Sequence, residues 1–175
     1  MIKCGVMLDP YQDEMDDYLR ITLPKNILAK EQLIVLNSIY TGNEYELIDI
    51  NLPTDLNYEQ ICKYINICTS LIPNELAEAI LMDIAEMDSL APELVVRMYD
   101  EVSEPIRISL CLRKDIPEGI VKKCIMSDNE DVIMHVVFND IVTIHQCNEI
   151  LNKYRQGHVV DAIKRAIAYK KQRNI

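Results

Sequence analysis

Along residues 73–87 the apolar positions Leu76, Ala77, Ile80, Leu81 and Ile84 fall on one helical face, with Glu75, Glu78 and Asp83 mostly off it. Steps of three and four residues are the period of an amphipathic helix. The same period runs through 24–40, which stops before Gly42, and through 54–68, where Ile61, Ile65 and Cys68 match it. Shorter stretches predict helices over 92–101, 105–112, 117–126, 130–138, 143–154 and 158–172. Strand-like pieces are few, at 2–8, 18–23 and 46–52. In the last two, Leu19/Ile21/Leu23 and Ile48/Ile50/Leu52 alternate with polar residues. They predict a small hairpin or edge pairing, or else extended links between helices.

A local motif recurs at the predicted helix starts. It reads apolar–Pro–x–x–aliphatic and occurs at Pro24, Pro53, Pro73, Pro92 and Pro117, with spacings of 29, 20, 19 and 25 residues. Proline suits the first helical position, where its missing N–H costs nothing and its φ is already helical. The residue before it is pushed to extended backbone. Each copy therefore predicts a short extended link followed by a helix. Ser103-Glu104-Pro105 adds a sixth start, with Ser103 as its cap, and only Pro10 stands outside the scheme. Helices recurring every 20–30 residues suggest a stack in which neighbours share a core.

The stretch 102–126 is the most telling. Ile106-Arg107, then Asp115-Ile116-Pro117 and Ile120-Val121, resembles the leucine-rich-repeat variant family, which is similar in style to HEAT-type helical repeats. The unit from Glu130 to Val137 resembles another first helix, although Thr143 stands where proline belongs. The resemblance covers mainly 70–150 and implies a fold style more than a function. Some members of that family hold an iron–sulfur cluster on clustered N-terminal cysteines; this chain has no such cluster of cysteines. The fold class expected is all-α, or mostly α with a short N-terminal β piece, as an irregular stacked helical-repeat domain. One domain spans 1–175, with a less regular part at 1–53 and a basic helix at 158–175.

Composition bounds what such a stack can be. Of the 175 residues 49% are hydrophobic, too many for a disordered chain. No apolar run approaches the ~18 residues of a membrane span, and the N-terminus lacks the apolar stretch of a signal peptide. A cytoplasmic location and no membrane partner are expected. The cysteines at 4, 62, 68, 111, 124 and 147 contain no C-x-x-C pair, so they read as free thiols and mostly core residues.

Candidate chemistry is sparse. The acidic run Asp9–Asp17 lacks the ligand spacing of an EF-hand and reads as a solvated loop or helix start. Cys124, His135, His145 and Cys147 follow no zinc spacing; both histidines read as members of apolar helices. There is no nucleophile-elbow, P-loop, dinucleotide-binding or zinc-protease motif. No catalytic, cofactor or metal residue is assigned, and an enzyme is not the expectation.

Charge is the least uniform property. Residues 1–150 hold 27 Asp+Glu against 11 Lys+Arg, a net of −16, while 151–175 hold seven basic residues and one acid, a net of +6. After Gly157, Val159, Val160, Ile163 and Ile167 share one face of the last helix. Lys164, Arg165, Lys170, Lys171 and Arg173 supply the basic character and are the candidate partner-binding residues. The function expected is a non-catalytic protein–protein interaction module, an adaptor or inhibitor, with no cofactor. Its partner is another protein or a second copy of the chain. Two alternatives remain. One is an acidic decoy that occupies a nucleic-acid-binding groove. The other is a nucleic-acid-associated repeat protein using the basic helix on phosphates.

Overall fold

The computed structural model describes residues 7–12, 17–24, 28–41, 47–154 and 156–173, which divide into two compact units, one up to Leu90 and one from Ala91. The described residues are mainly helical, with nine helices and one three-stranded sheet. None of these helices is long and apolar enough to cross a membrane. Cys4 and 13–16, the middle of the acidic run, lie outside the described residues.

The first unit holds the sheet. Strands β1 (Met7–Gln12), β2 (Asp17–Thr22) and β3 (Leu47–Asn51) lie in the order β1-β2-β3. β1 and β2 pair antiparallel, with Met7 opposite Thr22. β2 and β3 pair parallel, with Tyr18 opposite Leu47 and Thr22 opposite Asn51. Of the readings open for 18–23 and 46–52, the pairing holds and the hairpin does not, since β2 and the edge strand β3 run parallel. Helix α1 (Lys30–Thr41) lies in the connection, because parallel neighbours need a crossover rather than a tight turn. The acidic run is corrected too: 9–12 belong to β1 and Asp17 opens β2. Pro10, which has no N–H for a ladder, sits on the edge strand where that is tolerated.

Ile21 and Ile50 face each other across β2 and β3, and both are buried. Behind them α2 (Tyr58–Thr69) and α1 pack on α3 (Glu75–Glu86), which also meets β3. α3 is central to this core and buries Leu76, Ala77, Ile80, Leu81, Ile84 and Ala85. Each fully buried aliphatic side chain contributes about 1.5–3 kcal/mol. Side chains close the helix ends. Asn57 and Gln60 form a capping box on α2, and Asn74 accepts from Ala77 N on α3.

The second unit contains six helices: α4 (Pro92–Glu101), α5 (Glu104–Leu112), α6 (Glu118–Met126), α7 (Glu130–Val136), α8 (Ile144–Lys153) and α9 (His158–Arg173). Sequence neighbours pack together, as α4 with α5, α5 with α6, α6 with α7, and α8 with α9. Helices two apart also meet, as α4 with α6, α5 with α7, and α7 with α9. Thr143, in place of a proline, caps α8 through a box with Gln146. Gly157 enters α9 at φ +106°, a conformation side-chain-bearing residues rarely adopt.

The proline motif works in part. Pro92 and Pro105 occupy the first turns of α4 and α5, and Pro117 is the N-cap residue of α6. Pro73 lies one residue before the cap of α3, after a cis peptide bond. Pro24 and Pro53 do not start helices. Pro24 lies six residues ahead of Lys30, and a turn at 54–55 separates Pro53 from Tyr58.

Candidate functional site

The second unit is organised around one buried polar residue. α7 ends at Val136, and Asn139 follows on the link to α8. Its side-chain amide donates to the carbonyls of Cys111 (2.9 Å) and Arg113 (2.6 Å), the exposed-carbonyl end of α5. Its side-chain oxygen accepts from Ile141 N at 3.1 Å. Its own carbonyl accepts from Val142 N at 3.0 Å and from Lys170 Nζ at 2.5 Å. Asn139 therefore ties α5, the α7–α8 link and α9 together.

This corrects one predicted binding residue. Lys170 is fully buried, its ammonium is taken up by the Asn139 carbonyl, and it offers nothing to a partner. Burial pushes its pKa down, opposed by nearby Cys147 and Asp140. The reason is register: Lys170 follows Ile163 by seven residues and Ala166 by four, which puts it on the buried stripe. The other four candidates, Lys164, Arg165, Lys171 and Arg173, are exposed. Arg173 donates to the Tyr169 hydroxyl, lies over the Tyr169 ring, and pairs with Asp140 at 3.4 Å. These bonds place the end of α9 beside the α7–α8 link.

The sequence pattern did not single out what surrounds Asn139. Leu112, Phe138, Ile141 and Tyr169 are large apolar or aromatic residues, each 39–56% exposed. Phe138 and Ile141 flank Asn139 in the chain. Leu112 lies between the two residues whose carbonyls Asn139 holds, and Tyr169 precedes Lys170. Each of the four exposed apolar residues thus is bonded to Asn139, or adjoins in the chain Asn139 or a residue bonded to it. Apolar and aromatic groups with arginine at the edge are the composition of protein-docking surfaces. The sequence pattern predicts a helix over 130–138 that includes Phe138, the lone Phe, whereas α7 ends two residues before it at Val136.

Other features are less organised for chemistry. Cys68, Cys111, Cys124 and Cys147 are buried free thiols and Cys62 is half-buried, as the sequence led us to expect. Both histidines lie in helices, His135 in α7 as expected and His145 in the first turn of α8. His145 is exposed and faces Glu149 at 3.6 Å, and His135 is only half-buried, its Nδ1 bonded to Asp131 O. Among the described residues no group of three or more His, Cys, Asp or Glu could hold a metal ion. In the first unit an open 560 Å³ cleft runs between the β3–α2 link and the end of α3, with Asp83, Glu86 and Asp88 on its wall. In the second, a 290 Å³ groove is lined by Ile125, Met126, Glu149, Ile150 and Lys153. No protein-family model matches the chain, and no curated protein or solved structure matches it.

Proposed function

We propose that this chain is a non-catalytic protein-binding module of helical-repeat style, and that its docking surface is the apolar patch around Asn139 together with the exposed face of α9. The single observation that carries the reading is that Leu112, Phe138, Ile141 and Tyr169, all exposed, belong to or adjoin in the chain the segments that Asn139 ties together, with Arg173 on the Tyr169 ring. Monomeric proteins seldom leave large apolar groups clustered and exposed, and binding energy concentrates on such anchors. The repeat style is supported by the packing of helices α4–α9 on near neighbours in the chain, the pattern of quasi-one-dimensional stacks. Lys164, Arg165, Lys171 and Arg173 favour a partner whose contact segment is acidic at its rim and apolar at its centre.

The test is affinity capture from the native cell with three baits: wild type, Phe138→Ala/Tyr169→Ala, and a Tyr58→Ala control in the first unit. A stoichiometric protein should be held by wild type and control, and lost or weakened about tenfold or more by the double variant at unchanged Tm. Equal retention by all three would move the surface elsewhere. Recovery of nucleic acid alone, with affinity falling steeply with salt, would replace the reading with phosphate binding by α9.

A further inference from the structure

Helices α5 and α6 bring two thiols together. Cys111 lies in the last turn of α5 and Cys124 in α6, both fully buried, and their Sγ atoms are 3.1 Å apart. The Tyr99 hydroxyl from α4 lies 3.2 Å from Cys124 Sγ. Three elements therefore converge on one sulfur. Arg107 steadies the third: its Nε donates to Tyr99 O at 2.9 Å and its guanidinium sits over the ring.

We infer that Cys111 and Cys124 are a redox-active dithiol that closes to an intramolecular disulfide, with a small uncharged peroxide as oxidant. The two sulfurs must approach from 3.1 Å to about 2.05 Å for the bond to form. Cys124 is the first nucleophile. As a thiolate it accepts from the Cys111 thiol and the Tyr99 hydroxyl. The Cys111 bond, opposed by burial and joined by the Tyr99 bond, holds Cys124 below the usual thiol range. Cys111 is held above that range by the same bond and by burial, so it keeps its proton until the second step.

In the first step Cys124 sulfur attacks one peroxide oxygen. The O–O bond breaks, one oxygen stays on Cys124 as a sulfenic acid, and the other departs as hydroxide, which takes up the proton that Cys124 gave up on becoming a thiolate and leaves as water. In the second, Cys111 sulfur attacks Cys124 sulfur. The S–O bond breaks, and a second water departs with the Cys111 proton. Two electrons pass from the thiols to the peroxide. A neutral oxidant is required because burial excludes charged ones, and it enters through local opening of the hairpin.

The experiment treats the purified full chain with hydrogen peroxide, alkylates the remaining thiols, and maps peptides without reductant. The expected product is a Cys111–Cys124 linked peptide, an intact mass lower by two hydrogens, and full reversal by dithiothreitol. The same treatment in denaturant should scramble the pairs. Persistence of alkylatable Cys111 and Cys124 while other cysteines oxidise would overturn the inference, as would scrambled pairs in the folded protein. Cys111→Ala should leave a Cys124 sulfenic acid that dimedone traps, and Cys124→Ala should leave no such adduct on Cys111. Equal adducts on the two variants would overturn the order of attack. The wild-type map stands even if a variant fails to fold.

Discussion

The two units hold themselves together differently. In the first, α3 buries six of its twelve residues and every one of them is apolar; the polar groups work at helix ends. In the second, the helices α4–α8 are seven to ten residues long and bury only two to four residues each. That unit places an amide and an ammonium inside, at Asn139 and Lys170. Short helices present little apolar area, and many packings of them are nearly equivalent. A hydrogen-bonded hub that fits only one arrangement selects among them. The hub also fixes where the chain turns, which is why exposed Phe138 and Ile141 sit beside α9.

The largest effect should come from attacking each unit where it is strongest. Ile80→Ala should cost the first unit about 2–5 kcal/mol, through lost burial and a residual cavity. Asn139→Ala should cost the second about 2–4 kcal/mol, because the carbonyls of Cys111 and Arg113 lose a buried donor. Urea unfolding with a probe in each unit would measure both. Lys170→Met separates glue from filler. Val142 N still satisfies the Asn139 carbonyl, and a desolvated charge is removed, so a loss below about 1.5 kcal/mol is expected. A loss as large as that of Asn139→Ala would show that Lys170, not Asn139, is the centre of the hub.

Alkaline pH bears on both units, because burial raises Cys147 and Tyr99, and hydrogen bonding with burial raises Cys111, in the second as burial raises Tyr64 and Cys68 in the first. Burial pushes the Tyr64 hydroxyl up to about 12 from 10.0, with help from nearby Cys68, and pushes the Cys68 thiol up to about 12 from 9.0. Above pH 9 the unfolded chain releases the Cys68 proton and the folded one keeps it. The first unit therefore loses stability as pH rises, through Cys68 from pH 9 and through Tyr64 from pH 10, up to about 12. Lys170 has the opposite sign. Its folded pKa is lowered, so its contribution becomes more favourable as pH rises towards 10.5. Cys68→Ala should flatten the alkaline loss in the first unit and leave the second unit's profile unchanged. A profile unchanged in both would remove Cys68 as the source.

The difference between the units also explains what could be read from the sequence. Helix positions in the second unit were legible within one or two residues, because each short apolar stripe is bounded by proline, glycine or a polar cap. Strand direction in the first unit was not, since alternation at Ile21 and Ile50 says which face is buried and nothing about polarity. Pro24 and Pro53 misled because proline fits an extended link as well as a helix start. Lys170 was misplaced by its charge, although its step from Ile163 and Ala166 marked the buried stripe. The proposed docking patch depends on Asn139 reaching across 28 residues to Cys111, and no local pattern encodes that bond.

The smallest effects concern the helix ends, where the contrast reverses the usual expectation for a cap. Asn57 in the first unit accepts from Gln60 N at 3.0 Å, and its own N–H donates to Gln60 Oε1 at 2.9 Å. Asn57→Ala removes the side-chain half of that box and should cost about 1 kcal/mol. Ser103 holds the equivalent place before α5, yet its side chain makes no capping bond, and its Oγ is buried without a hydrogen-bond partner. Taking that hydroxyl out of water costs free energy that nothing returns. Ser103→Ala should therefore be neutral or stabilise the second unit by up to about 1 kcal/mol. A loss comparable to that of Asn57→Ala, measured as a Tm shift in each unit, would mean that Ser103 does cap α5 in solution, and that the second unit's helix ends are built like those of the first.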